Sequence, residues 1–378
     1  MLYRKLGKTG EEVSILGFGC MRFQILDKDY GKTDEKLAIE QLRYSIDNGV
    51  NYVDTAYPYH DGQSEILVGK ALKDGYREKV KLATKLPTWA ITCREDMDKY
   101  LNEQLEKLQT DYIDFYLIHS LNVNRWENCV KHGLFDFMDK ALADGRIKHI
   151  GFSFHDELPL FKKIIDAYDW EFCQIQYNFM DEHYQAGTEG LEYAANKGIG
   201  IVIMEPLRGG SLAKNIPTDI QELWDSAKIK RSAAGWALRF LWDKPEIGVV
   251  LSGMNEMDQI KENIAEASIA YPNSLTTEEK ELIDKVKNIY ISRTAVNCTK
   301  CRYCMPCPFG VNIPGVFNFY NNASMFQDAK FAKGQYFIFL PDGSRAIDCK
   351  KCGKCEKECP QNLPIREYMD KVIAEFGG

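Results

Sequence analysis

The 378-residue chain has no apolar run near the ~18 residues that a bilayer-spanning helix needs, which excludes a helical membrane protein. Its first residues, MLYRKLGKTGEEV, contain no apolar stretch of the kind that directs secretion. Positive charge is not in surplus: 48 Lys and Arg face 55 Asp and Glu, for a net charge of −7. Such a balance gains nothing from a polyanion, so nucleic acid is excluded as a main partner. No GxGxxG fingerprint occurs, which argues against a Rossmann cofactor domain. Low-complexity tracts are absent too. With 45% hydrophobic and 27% charged residues, the composition is that of a folded cytoplasmic protein without membrane partners. The length fits one large domain plus a small one. Oligomeric state is not legible.

Cysteine, by contrast, is abundant and unevenly placed. Of 12 cysteines, Cys20, Cys93, Cys129 and Cys173 are scattered, and the other eight lie between Cys298 and Cys359. Clustered cysteines in a non-secreted chain point to metal rather than to a disulfide framework.

From residue 12 to about 268, short apolar runs alternate with amphipathic stretches. Eight runs read as strands buried on both faces: 13–19, 51–54, 79–85, 111–119, 146–153, 172–178, 199–205 and 246–253. Segments such as 35–49, 64–75, 95–109, 133–145 and 232–243 repeat apolar residues at helical spacing, and Gly49, Gly75 and Gly145 follow helix ends. Eight β-α units predict an α/β fold, a closed (β/α)8 TIM barrel. The start reads as a hairpin turning at Lys8-Thr9-Gly10 and plugging the barrel bottom. A further helix is expected over 276–290. The expected domains are therefore a barrel over 1–292 and a small, mainly helical ferredoxin-type domain over 293–378.

Three strands end in ionisable residues: Asp54, Lys85 and His119. All three should face one mouth, and burial there is tolerable only if they pair. Tyr59 follows Asp54 in the next loop, close enough to fold back over them. A tyrosine of ordinary pKa, ~10, is a poor acid at neutral pH, and a neighbouring ammonium should lower it. Asp54 would orient Lys85, and His119 would hydrogen-bond a carbonyl. Tyr59 would then protonate its oxygen as hydride reaches the carbon. Trp89, Tyr57 and Trp126 are candidate walls for the substrate.

The motif DTAYPYHDGQSE and the spacing of Asp54, Tyr59, Lys85 and His119 resemble the aldo-keto reductase superfamily over residues 1–290. The resemblance implies an oxidoreductase that uses NADP or NAD to reduce a small carbonyl compound to an alcohol, or the reverse. It implies Ser153 and Gln174 as holders of the nicotinamide carboxamide and Met204 beside the ring. It implies Gly19, Cys20, Met21, Pro206, Leu207 and Arg208 as further cofactor contacts. Ser252, Gly253, Asn255, Gln259, Glu262 and Asn263 match the family's phosphate and adenosine segment, where backbone N–H groups can meet an anion. Many members carry Arg where this chain has Gln259, and Arg208 is the substitute on offer.

The second part holds Cys298-x2-Cys301-x2-Cys304-x2-Cys307-Pro308 and Cys349-x2-Cys352-x2-Cys355-x3-Cys359-Pro360. The second run has the bacterial-ferredoxin spacing, and the first is one residue short before its last Cys. The spacing predicts two 4Fe–4S clusters with exchanged fourth ligands. Cys298, Cys301, Cys304 and Cys359 would hold one; Cys349, Cys352, Cys355 and Cys307 would hold the other. Zinc is the rival ligand set. The intervening segment 315–337 looks partly helical, which resembles two-cluster ferredoxin domains of respiratory and heterodisulfide reductase subunits.

A hydride carries two electrons and a cluster normally takes one. Three readings follow. The first is a carbonyl reductase with structural or redox-sensing clusters. The second is an electron-transfer enzyme linking a ferredoxin-like partner to the barrel, with or without a flavin. The third is a nucleotide-binding sensor without catalysis.

Overall fold

The computed structural model describes residues 1–377. Ten strands form: β1 Tyr3–Lys5, β2 Glu12–Ser14, β3 Leu16–Gly19, β4 Tyr52–Asp54, β5 Lys81–Leu86, β6 Ile113–Leu121, β7 Ile147–Phe154, β8 Phe172–Gln176, β9 Gly200–Met204 and β10 Ile247–Ser252. The last eight close into a parallel barrel in the order β10-β3-β4-β5-β6-β7-β8-β9. Strands such as β8, β9 and β10 are almost wholly buried, as strands covered by helices outside and side chains inside must be.

β1 and β2 form a separate antiparallel pair in the register Tyr3 to Ser14. Their hairpin carries Leu6 and Val13 into the barrel interior, where they join Tyr52, Phe115, Leu117, Phe172, Val202 and Val249. The fit is close because two neighbours lack side chains. A Cβ on Gly200 would stand 2.7 Å from Leu6 Cγ, and one on Gly248 would stand 2.6 Å from Leu6 Cδ1. The expected plug is thus a single leucine seated against two glycines.

The chain divides by contacts into two compact units. The first is Met1–Gly210 with Ala234–Thr276, and the second is Ser211–Ala233 with Thr277–Gly378. The second unit therefore takes the helix Thr277–Ser292, and it also takes a segment that follows β9. The boundary expected near residue 292 falls one helix later than this division by contacts. The reason is packing: Tyr290 lies against Phe326, ring centroids 4.9 Å apart, and Arg293 pairs with Asp219 at 2.6 Å.

The rest of the second unit is helical, with Ile313–Phe326, Ala329–Phe339, Lys354–Lys357 and Ile365–Phe376. Asn312 caps the first by accepting from Gly315 N, and Asp328 caps the second by accepting from Phe331 N. Gln327 turns between them in the left-handed region. Val296, Val316, Phe317, Tyr336, Met369, Val372 and Phe376 form the core, with cysteines packed at its edge. Among the described residues, no helix is long and apolar enough to cross a membrane.

Candidate active site

Register fixes the site. Asp54 ends β4 opposite Gly19, and Lys85 lies opposite Leu117, two residues before His119. Lys85 Nζ donates to Asp54 Oδ1 at 2.8 Å, to Asp54 Oδ2 at 2.7 Å and to Thr55 O at 2.7 Å. Both side chains are buried, Lys85 completely. Tyr59 opens a tight turn in which His60, Asp61 and Gly62 have φ of 53°, 51° and 86°. The turn folds the Tyr59 ring back until its centroid is 5.2 Å from Lys85 Nζ and 6.4 Å from the His119 ring. The four expected residues therefore meet at the C-terminal mouth.

Their electrostatics differ from the expectation in one respect. The Tyr59 phenol is pushed well above its ordinary value, first by burial and then by the Asp54 charge. Lys85 is held beside it by Asp54 and Thr55, which take all three ammonium protons. Burial pushes the Asp54 carboxyl up, and Lys85 pulls against that. His119 lies well below the usual imidazole range, through burial first and then the charge of Lys85. It is neutral, and its buried Nδ1 has no hydrogen-bond partner among the described residues.

A buried polar network braces this centre from behind. Glu65 Oε1 accepts from Thr84 Oγ1 and from Gln104 Nε2, both at 2.6 Å. Gln104 Nε2 also reaches the Lys85 carbonyl at 3.0 Å. Ser64 Oγ joins Thr55 Oγ1 at 2.9 Å and donates to Cys20 O. These contacts explain the serine and glutamate of DTAYPYHDGQSE. His60, which the sequence reading passed over, accepts from Phe23 N at 3.2 Å and contacts Tyr30 O at 3.0 Å, so it ties segment 21–33 to the Tyr59 turn.

Of the three candidate substrate walls, one is in place. Trp89 is exposed and lies 5.3 Å from the His119 ring. Tyr57 instead packs on Tyr100 and donates to Glu103 at 3.2 Å. Trp126 is buried against Phe135; its helix, Val123–Lys131, turns it inward.

The cofactor candidates fall in two groups. Ser153 and Gln174 are register partners on β7 and β8. Ser153 Oγ accepts from Ser120 N at 2.6 Å. Gln174 Nε2 reaches Met204 Sδ, while its buried Oε1 has no donor among the described residues. A carboxamide N–H fits that acceptor. In the second group Ser252 ends β10 and accepts from Asn263 Nδ2. Asn255 N donates to Gln259 Oε1, and Asn255 O accepts from Gln24 and Gln41. Gly253 and Glu262 are exposed. A Cβ on Gly253 would stand 3.0 Å from Arg22 Cδ, so glycine lets Arg22 lie along this turn. Gly19 adjoins Ser252, Cys20 and Pro206 are buried, Leu207 is half-buried, and Met21 faces solvent. Arg208 Nε pairs with Asp181 at 3.1 Å.

In the second unit Cys301 and Cys352 are exposed and the other six are half-buried. Cys307, Cys349, Cys352 and Cys355 line one concavity with Val311, Ile313, Ile365 and Met369. Cys298 has Cys301 and Cys359 as electrostatic neighbours, and Cys304 has Cys298, Cys355 and Cys301. Burial pushes the Cys304 and Cys355 thiols up to about 11. Among the described residues no three His, Cys, Asp or Glu side chains converge on one point as ligands of a single ion would. The four cysteines of that concavity are the set expected to hold one cluster.

The aldo/keto reductase family model matches residues 15–288, and the 4Fe-4S dicluster domain model matches residues 297–363. The chain is 27% identical to L-galactose dehydrogenase of Arabidopsis thaliana over 76% of its length and 95% of that protein. It is 30% identical to a probable aldo-keto reductase of Glycine max over 57% of its length and 63% of that protein. Among solved structures, the holo aldo-keto reductase of Bacillus halodurans superimposes with a TM-score of 0.63 at 27% identity, covering 75% of this chain and 96% of that one. An aldo-keto reductase of Klebsiella pneumoniae in complex with NADPH shares the fold, with a TM-score of 0.62 at 22% identity over 76% and 96% of the two chains. With eight barrel strands, an Asp-Lys pair at their mouth and a match across most of its length, the chain belongs to the aldo/keto reductase family, as an NAD(P)-dependent oxidoreductase followed by a 4Fe-4S dicluster domain.

Proposed function

We propose that the barrel interconverts a small carbonyl compound and its alcohol, with Tyr59 as acid and base. The observation that carries this reading is the buried Lys85–Asp54 pair with Tyr59 and His119 gathered above it. A reduced nicotinamide, as NADPH or NADH, would supply the hydride chemistry when bound. Neutral His119 donates a hydrogen bond that directs the carbonyl oxygen. Tyr59, kept protonated by its surroundings, delivers its proton to that oxygen as negative charge develops there. Lys85, fixed by Asp54, then stabilises the tyrosinate until solvent returns a proton. Gln174 Oε1 and Ser153 would hold the carboxamide, Met204 would lie beside the ring, and Arg22 with the Ser252–Asn255 turn would meet the phosphates.

The second unit would hold two 4Fe–4S clusters, on Cys298, Cys301, Cys304 and Cys359 and on Cys349, Cys352, Cys355 and Cys307. Each supplies one-electron chemistry when bound. Exposed Cys301 and Cys352 favour a second reading, in which an external ferredoxin-like carrier exchanges electrons there. One anaerobic experiment tests both. Iron and sulfide analysis fixes the cluster content. NADPH-dependent reduction of an aldehyde panel, lost in Tyr59→Phe, supports the first reading, and no turnover by the native protein removes it. Bleaching of the cluster absorbance by a low-potential donor supports the second, and its absence removes it.

A further inference from the structure

The chain holds its arginines with care. Arg77 pairs with Asp114, Arg94 and Arg146 with Asp98, Arg208 with Asp181, Arg231 with Glu279 and Arg293 with Asp219. Arg4, which is half-buried, donates to three backbone carbonyls. Arg125 does neither. It sits in the first turn of the helix Val123–Lys131, directly after the strand that carries His119. It is half-buried, and its guanidinium makes one hydrogen bond, from Nη1 to Ser120 O at 2.9 Å. No carboxylate bonds it among the described residues. Asp156, which borders the start of this helix, accepts instead from the backbone N–H groups of Val123 and Glu157.

Its surroundings are those of the reacting centre. The guanidinium carbon is 5.5 Å from the Trp89 ring centroid, and Trp89 is 5.3 Å from His119, which in turn faces Tyr59. Arg125 contributes electrostatically to both His119 and His155, and burial lowers both imidazoles, His155 to about 4. Both rings are therefore neutral at pH 7. Lys85 is balanced by Asp54. On this side of the mouth Arg125 is thus a guanidinium that no carboxylate bonds among the described residues.

We propose that Arg125 binds a carboxylate on the substrate, so that the preferred substrate is a carbonyl compound bearing a single negative charge with its body against Trp89. The proposal rests on the hydride-transfer reading for the identity of the reacting group but not for the anion site. A planar guanidinium matches a carboxylate in shape. One guanidinium matches a monoanion, where a phosphate dianion would call for a second cation.

The test is calorimetric titration of the anaerobically purified full-length protein with benzoate, benzamide and phenyl phosphate. Benzoate should bind about tenfold or more tighter than its neutral isostere benzamide, and the preference should shrink with added salt. In Arg125→Ala the benzoate-to-benzamide ratio should fall to about one, and in Arg125→Lys part of it should return. Equal binding of benzoate and benzamide by the native protein overturns the proposal. So does an unchanged ratio in Arg125→Ala, or tighter binding of phenyl phosphate than of benzoate. Turnover of 4-carboxybenzaldehyde against 4-formylbenzamide separates the two readings. Benzoate binding through Arg125 with neither aldehyde reduced would leave the anion site standing and remove hydride transfer. Equal kcat/KM for both aldehydes would leave hydride transfer standing and remove the anion site.

Discussion

A lysine with no exposed surface is tolerated here because a carboxylate and a carbonyl accept all three of its hydrogen bonds. Lys85→Met leaves Asp54 buried without its partner and should cost about 3–5 kcal/mol of stability. Urea denaturation would read the loss, and Asp54→Asn added to Lys85→Met should recover part of it. The imidazoles set an acid limit. His155 titrates near 4 in the folded protein, against 6.5 when free. Between those values the unfolded chain binds the extra proton, so stability is full above pH 6.5 and falls as the pH drops toward 4. His119 acts in the same direction. Melting temperatures from pH 7.5 to 5 should decline, and less steeply in His155→Gln. The residues at consecutive strand ends were legible in sequence, since strand ends in a barrel share one face. The raised Tyr59 pKa was not, because it depends on how deeply the ring is buried and how close Asp54 lies to it. Nor were His60 and Arg125, whose meaning lies in partners 30 or more residues away or in having no acidic partner at all.

At the scale of elements, the barrel was readable because eight apolar runs alternate with helical periods and Gly marks helix ends. The missed pieces are polar or short. The helix Val123–Lys131 begins at Asn122, whose side chain caps Arg125 N at 3.0 Å, and this capping hides in what reads as a loop. The hairpin plug offers a packing test. Gly200→Ala would drive a methyl group against Leu6 and should destabilise by about 1–3 kcal/mol. Leu6→Ala alone opens a cavity costing about 2–5 kcal/mol. The double variant should cost less than the sum, since the smaller side chain relieves the clash. Thermal denaturation of the four proteins would measure that non-additivity.

For the molecule as a whole, the sequence placed a barrel before a cysteine-rich part but could not show that the segment 211–233 leaves the barrel unit, because long-range packing decides it. The second unit has a modest apolar core rimmed by cysteines, so bound iron should supply much of its stability. Native protein should carry about eight iron atoms per chain. Stripping them under anaerobic chelation should abolish one calorimetric transition and leave the other in place; a single transition that survives iron removal would contradict this. Division by contacts has one more outcome, concerning synthesis. Ile220 and Trp224 lie between barrel strands β9 and β10 in sequence, yet their burial belongs to a unit completed only by residues 277–378. While the ribosome is still making that later stretch, both side chains stand uncovered on a nearly finished protein. A nascent chain stalled after β10 should therefore recruit chaperones at this point, and a fragment cut at residue 276 should aggregate through it.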